Sequence, residues 1–329
     1  MRYAIRFDRT GGPEVLQWQK VGAGETALDL PEAGAARVRH HAVGVNFIDI
    51  YHRTGLYPLP LPSGIGMEGA GVVEAVGAGV SDIQVGDRVA YAGGPVGAYA
   101  EVRTIPADRL VKLPDSIDFK TGAAMMLQGL TAQYLLRRTY RVQPGDTILI
   151  QAAAGGVGLI VCQWAKALGA TVIGTVSSDE KAALAKAHGC DHTINYTREN
   201  FTARVKEITA GAGVNVVYDS IGKDTFMGSL DCLRPLGMMV TFGNASGPVP
   251  PFDTSELAKR GSLFLTRPSL FTYIAKRTDL LAMAAELFDV VSSGKVKIEV
   301  NQTYALKDAA QAQVDLAARK TTGSIVLLP

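Results

Sequence analysis

The chain holds 329 residues, 47% of them hydrophobic and 19% charged, with a formal net charge of +2. That length predicts two domains rather than one core, and the even mixture of residue types excludes a disordered or fibrous chain. With no clustered basic patch and no long apolar stretch, nucleic acid and membranes are not expected partners.

The opening Met1-Arg2-Tyr3-Ala4-Ile5-Arg6-Phe7 reads as a strand rather than a signal peptide. The three cysteines, Cys162, Cys190 and Cys232, form no CxxC pair. Sparse, odd cysteines predict a reducing, cytoplasmic compartment and no thiolate zinc lobe. Residues 1 to about 120 are β-rich, with short alternating runs at 36–40, 71–76 and 88–91. Gly86-Asp87 is a turn signal between two such runs. This pattern predicts a small irregular barrel.

The style changes near residue 120. Residues 121–138 are expected to form a helix that ends before Pro144. Strands are then predicted at 147–152, 171–176, 192–196, 214–220, 238–243 and 262–267, with helices between the first five. Such alternation gives right-handed crossovers and a parallel sheet covered on both faces. A single long amphipathic helix is expected over 271–293, ended at Gly294, with Leu280, Met283, Ala284 and Leu287 as core residues. A strand at 297–304, a short helix and a strand at 323–328 complete a tail that returns to the first domain. The expected domains are 1–125, 126–267 and the returning segment 268–329.

The strongest local signal is Gln151-Ala152-Ala153-Ala154-Gly155-Gly156-Val157-Gly158. It follows an apolar strand and opens an amphipathic helix, the context a dinucleotide fingerprint requires. Gly155 would let the backbone approach a pyrophosphate, and Gly158 would let helix and strand pack closely. The helix N-terminus offers N–H groups and a positive dipole end to phosphates. Ala153 occupies the first glycine position of GxGxxG, so the fit is imperfect.

An NAD site carries Asp or Glu at the end of the second strand, where it binds the ribose 2′-OH. Here Ser177 stands in that place and Lys181 follows one helical turn later. A hydroxyl and an ammonium suit a 2′-phosphate that a carboxylate would repel, so NADPH is the expected cofactor. Ser177 also fits as a plain helix N-cap, and Lys181 as a solvated lysine. Tyr196 fits either an adenine cover or ordinary packing. The loop Phe242-Gly243-Asn244-Ala245-Ser246-Gly247 follows the fifth strand, where ligands of doubly wound sheets sit; it also reads as an ordinary turn.

With these stretches, Gly44-Val45-Asn46-Phe47-Ile48-Asp49, Gly66-Met67-Glu68-Gly69-Ala70-Gly71-Val72-Val73, Val85-Gly86-Asp87-Arg88-Val89 and Tyr218-Asp219-Ser220-Ile221-Gly222, the chain resembles the zinc-independent quinone oxidoreductases. These are the zeta-crystallin-like branch of the medium-chain dehydrogenase/reductase superfamily, and the similarity covers essentially the whole chain. The resemblance implies an α/β fold: a Rossmann doubly wound parallel sheet plus a GroES-like β-barrel domain, with a cleft between them. It implies a homodimer joined through the Rossmann sheets. Cofactor contacts carried over from the family fall on Asn46, Phe47, Ile48, Asp49, Gly155, Gly156, Val157, Gly158, Ser177, Lys181, Tyr196, Ser220, Ile221, Phe242, Gly243, Asn244, Ser246, Leu265, Thr266, Arg267 and Arg319. Zinc-dependent relatives carry a cysteine ligand where this chain has Asn46, and Gly-His-Glu where it has Gly66-Met67-Glu68. A thioether is a poor zinc ligand beside imidazole, so no metal is expected.

A quinone suits such a site, because reduction makes its ring aromatic and the product phenolate is a modest base. The protein then needs to position the reactants and exclude side reactions. Asn46 would donate to the developing oxyanion, and Tyr51 would donate or stack on a flat ring. Against these stand a ribose contact for Asn46 and barrel packing for Tyr51. A second reading is reduction of enones or alkenals, where a positioned acid matters more. A third, of another class, is a structural or RNA-binding protein that holds NADPH; the lack of a basic-aromatic stripe speaks against RNA.

Overall fold

The structure, a computed structural model, describes residues 2–21 and 30–329. Met1, the first residue of the expected opening strand, lies outside them, as do residues 22–29 of the expected barrel domain. The chain divides into two units. The first comprises Met1–Leu130, Ile274–Phe288 and Ile298–Pro329; the second comprises Thr131–Tyr273 and Asp289–Lys297.

In chain order the strands are β1 (Tyr3–Phe7), β2 (Gln17–Lys20), β3 (Ala35–Val45), β4 (Ser63–Gly64), β5 (Glu68–Val76), β6 (Arg88–Ala92), β7 (Val102–Pro106), β8 (Val111–Lys112), β9 (Thr147–Ile150), β10 (Thr171–Val176), β11 (His192–Asn195), β12 (Val214–Asp219), β13 (Leu233–Thr241), β14 (Phe264–Thr266), β15 (Val300–Ala305) and β16 (Ser324–Leu328). In the first unit, β3 pairs antiparallel with β5, β7 and β16 within a seven-stranded sheet. A small sheet, β2-β1-β4, completes the GroES-like barrel. Alternating apolar residues put Val38, Val43, Val45, Val73, Val89, Tyr91, Ile325 and Leu327 into one buried core. The register Ile325↔Val45 fixes the C-terminal strand on β3, so the tail's apolar face has a place only in this unit.

The second unit holds six parallel strands in the order β11-β10-β9-β12-β13-β14. That is the Rossmann order, with the crossover reversing at β9 and β12. Leu149, Ile173, Ile194, Val217 and Met239 are buried side by side across it. Each contributes about 1.5–3 kcal/mol of burial, which explains why these strands read as continuous apolar runs.

Several expected bounds move. The strand expected over 147–152 stops at Ile150, because Ala152 turns to a φ of 59°. The expected helix 121–138 runs over Phe119–Tyr134 and continues as a π turn, Leu135–Thr139. The single helix expected over 271–293 is two, Leu270–Tyr273 and Arg277–Ser292. The break has a cause: the Arg109 guanidinium takes the carbonyls of Ile274, at 3.2 Å, and Ala275, at 3.4 Å, from outside the helix. Leu280, Met283, Ala284 and Leu287 are fully buried, as expected of a core face.

Candidate functional site

In the second unit the sequence-predicted residues follow the carboxyl ends of the parallel strands. After β9 the chain turns through Ala152 and enters the helix Gly156–Ala167 with Gly155 as its N-cap. Gly155 brings no side-chain acceptor to this helix end, so its leading N–H groups suit an anion. The turn is tied to β10: Ala153 N donates to Thr175 O at 2.9 Å, and Ala152 N donates to Thr175 Oγ1 at 3.2 Å. A Cβ on Gly158 would stand 2.3 Å from Ala152 O, so only glycine permits this approach. This bare, closely packed turn fits a dinucleotide pyrophosphate.

The end of β10 carries Ser177, half-buried, and then Ser178. Ser178, not Ser177, is the N-cap of the helix Asp179–Ala187, its Oγ accepting from Lys181 N at 3.3 Å. Ser177 is thereby relieved of the capping role that its position suggested. Asp179, the first residue of that helix, is engaged elsewhere: it pairs with Arg198 and accepts from Asn195 Nδ2 at 3.3 Å. Ser177 at this strand end and Lys181 in the first turn of the helix, with Asp179 paired to Arg198, suit a ribose 2′-phosphate.

The remaining loops are laced together. Asp219 accepts from Ile221 N at 2.8 Å and Gly222 N at 3.0 Å, fixing the turn of Ser220 and Ile221. The loop after β13 lies on it: Ser246 N donates to Ile221 O at 2.9 Å, and Ala245 N to Ser220 O at 3.2 Å. A Cβ on Gly243 would meet Ser220 O at 2.3 Å, which accounts for that glycine between Phe242 and Asn244. Tyr196 follows β11, 39% exposed, its N–H on Val176 O. Leu265 and Thr266 belong to β14, and Arg267 follows it, exposed. Beneath the loops runs a buried chain that the sequence reading missed: Thr175 Oγ1 donates to Gln151 Oε1 at 2.6 Å, Gln151 Nε2 to Ser229 Oγ at 3.0 Å, and Ser229 Oγ to Asp219 Oδ2 at 2.8 Å.

The first unit holds Asn46, the N-cap of the helix Phe47–Thr54. Its amide is part of a second unforeseen network. Asn46 Nδ2 donates to Glu68 Oε2 at 2.7 Å, and Gln128 Nε2 donates to Asn46 Oδ1 at 3.1 Å. Leu127 N donates to the other Glu68 oxygen at 2.7 Å. Glu68 is completely buried; burial pushes its carboxyl up to about 8, against the hydrogen bonds from Asn46, Leu127 and Met126. Gly44 makes room for it, since a Cβ there would stand 2.3 Å from Glu68 Oε2.

Asp49 closes a capping box on Asn46, accepting from Asn46 N at 2.9 Å and from the Tyr99 hydroxyl at 2.9 Å. It too is fully buried, and burial raises it to about 7. Its Oδ2 therefore serves the helix end. Phe47 and Ile48, in the first turn of this helix, are half-buried. Tyr51, in its second turn, sets its ring 5.2 Å from that of Tyr57, edge to face. Arg319 lies apart from this helix in sequence, exposed, at a left-handed φ of 59°.

Among the described residues no group of three or more His, Cys, Asp or Glu is placed to hold a metal ion. Asn46, Met67 and Glu68 do not fit zinc: they offer one anionic group, whose oxygens already accept N–H bonds. The five histidines lie outside this cluster. His40 bonds Tyr91 and the Ala100 carbonyl, and burial lowers it to about 4.

A GroES-like barrel unit and a Rossmann unit with a bare glycine turn define a medium-chain dehydrogenase/reductase. Residues 32–115 match the alcohol dehydrogenase GroES-like domain and residues 156–286 the zinc-binding dehydrogenase family. The chain is 56% identical to a quinone oxidoreductase of Pseudomonas aeruginosa, with both chains covered completely. It superposes on the crystal structure of Escherichia coli quinone oxidoreductase complexed with NADPH at a TM-score of 0.96, with 49% identity over 99% of this chain and 100% of that one. A 2-haloacrylate reductase of a Burkholderia species is 49% identical, over 100% of this chain and 99% of the relative. The chain belongs to the zinc-independent quinone oxidoreductase family, the zeta-crystallin-like branch of that superfamily.

Proposed function

We propose that this enzyme reduces quinones with NADPH and without a metal. The observation that carries the cofactor choice is the end of β10, where Ser177 and Lys181 stand and Asp179 is turned to Arg198 and Asn195. NADPH, when bound, supplies a hydride. The Gly155, Gly156, Val157 and Gly158 turn holds the pyrophosphate on backbone N–H groups. Ser177 and Lys181 bind the 2′-phosphate, and Tyr196 covers the adenine. Ser220, Ile221, Phe242, Gly243, Asn244 and Ser246 line the course of the dinucleotide, with Leu265, Thr266, Arg267, Phe47, Ile48, Asp49 and Arg319 as further contacts. Asn46 donates an amide N–H to the oxygen that gains charge, and Tyr51 packs against the flat acceptor. Solvent protonates the product, because a phenolate needs no strong acid. The place of work is the cytoplasm, and the assembly is a homodimer joined along β14, the last strand of the parallel sheet.

The relative named as a 2-haloacrylate reductase favours a second reading, reduction of an activated carbon–carbon double bond. Both readings are separated by following NADPH oxidation against a panel of simple quinones and enones, repeated with NADH. Quinone turnover that prefers NADPH is expected. Turnover confined to enones sustains the second reading, and no turnover of either class ends both.

A further inference from the structure

The chain from Glu68 through Asn46 and Gln128 to Ser324 can be hydrogen-bonded in either of two directions. In the observed one, Ser324 Oγ donates to Gln128 Oε1 at 2.7 Å, Gln128 Nε2 to Asn46 Oδ1 at 3.1 Å, and Asn46 Nδ2 to Glu68 Oε2 at 2.7 Å. Turning both amides over reverses every bond. The Ser324 end accepts either direction, because its hydroxyl also lies 3.0 Å from the Ala124 carbonyl. Reversed, Ser324 would accept from Gln128 and give its proton to Ala124 O. A hydroxyl is both donor and acceptor, and a primary amide is one on each side. Neither Ser324 nor Gln128 therefore selects a direction, whereas the capping box, in which the Asn46 side chain accepts from the Asp49 backbone, favours the observed one.

The stronger selection, by a buried carboxylate, falls at the other end. A carboxylate only accepts. The two Glu68 oxygens face N–H groups alone: Asn46 Nδ2 and the backbone of Leu127 and Met126. The backbone donors are fixed by the helix Phe119–Tyr134 and cannot turn over. We propose that Glu68 is a positioning residue: when ionised it is an acceptor-only group that, together with the Asp49 backbone N–H, sets the direction of the whole chain and so fixes which edge of the Asn46 amide carries the N–H donor.

The placement supports this. Glu68, Asn46, Gln128 and Ser324 are all buried, at 0%, 5%, 8% and 2% exposure, where water cannot replace a hydrogen bond left unmade. A chain with one mismatched link is disfavoured, so the direction is all or none. The ionisable groups that act on Glu68 are Asp49, Tyr91 and Tyr99. None of them bonds Asn46 Nδ2 or Gln128. A proton on Glu68 Oε2 would find an acceptor only by turning Asn46 over, which makes the same carboxyl, when neutral, a selector of the reverse direction.

The consequence for catalysis rests on the reading that Asn46 donates to the acceptor oxygen. In Glu68→Gln the oxygen of the new amide must stay on Leu127 N, so its NH2 group faces Asn46 and the chain reverses. The direct test is neutron diffraction from deuterated crystals of the apoenzyme at about pH 9, above the value of about 8 to which burial raises Glu68. In the parent, deuterium is expected on the Asn46 atom that faces residue 68. In Glu68→Gln it is expected on the atom that faces residue 128. The same Asn46 edge facing residue 68 in both proteins overturns the proposal.

A transposed variant, Glu68→Gln with Gln128→Glu, keeps the charge and is satisfied only in the reversed direction. It gives the same readout should the single variant not fold, and an unreversed amide there is equally fatal. In turnover at about pH 9, Glu68→Gln is expected to lower kcat about ten- to hundred-fold with KM for NADPH within about two-fold. It is expected to add nothing further to Asn46→Ala, because it acts through that residue. Additive losses overturn the positioning role, whereas a fully active Asn46→Ala refutes the assignment of Asn46 and leaves the neutron result to decide the direction by itself.

Discussion

Replacing Gly158 by alanine tests the phosphate turn most directly. The new Cβ would stand 2.3 Å from Ala152 O and 2.7 Å from the Ala153 carbonyl carbon and oxygen. Ordinary contact starts near 3.4 Å, so the backbone must yield by about 1.1 Å, the difference between those two distances. That backbone is not loose. It is held by Ala153 N on Thr175 O, Ala152 N on Thr175 Oγ1 and Gly155 N on Ala152 O, and Ala153 is fully buried. Overpacking of this kind costs about 1–3 kcal/mol, and the relief available, a shift of the helix away from β9, moves the phosphate donors. Calorimetric titration is expected to show Kd for NADPH raised about ten- to hundred-fold, or about 1.4–2.7 kcal/mol. The melting temperature without cofactor is expected to fall by several degrees. Gly155→Ala is the control, since its Cβ meets nothing closer than Ala152 O at 3.3 Å. It should keep the apo melting temperature and lose NADPH affinity only, through blocked approach of the pyrophosphate. A folded Gly158→Ala that binds NADPH like the parent would refute the assignment of this turn.

Lys181→Ala is expected to raise KM for NADPH about ten-fold or more while leaving that for NADH unchanged; an unaltered cofactor preference in steady-state assays removes the phosphate role of Lys181. Burial raises Glu68 to about 8 and Asp49 to about 7, so between about pH 5 and about pH 8 the folded state keeps protons that the unfolded chain has released. Stability therefore falls as pH rises through that window; thermal melts should show a shallower fall in Glu68→Gln, and an identical slope contradicts the assignment. Leu149→Ala, at a fully buried position in the middle of the parallel sheet, is expected to cost about 2–5 kcal/mol in chemical denaturation, and a loss below about 1 kcal/mol would mean that the site collapses around the cavity.

The Rossmann unit was legible because its signals are local. Runs such as Ile148-Leu149-Ile150 are apolar on both faces, which only a doubly covered strand requires. The glycine turn announces itself within eight residues. Where the reading slipped, a distant side chain had decided the matter. Nothing in residues 271–293 says that the helix breaks at Ile274; the break is made by Arg109, 165 positions away in sequence. Ser177 and Ser178 are chemically alike, and only the bond from Lys181 N tells which one caps the helix.

The networks around Asn46 and Asp219 were illegible for the same reason, and more so. Glu68 meets Gln128 only through Asn46, and Ser324 lies 196 positions beyond Gln128. No spacing rule links such residues, because β3, β5, the helix Phe119–Tyr134 and β16 bring them together only after the sheet has formed. One sequence signal was nevertheless available: Glu68 kept its place in Gly-Met-Glu although the histidine beside it in zinc-dependent relatives is absent. A carboxyl group that is fully buried and holds no metal must be hydrogen-bonded, and its partners are the N–H donors that point at it. The residue that reads as the remnant of a metal site is thus the fixed end of a hydrogen-bonded chain. Gly44 is bare for its sake, since any side chain there would occupy the space of its carboxylate.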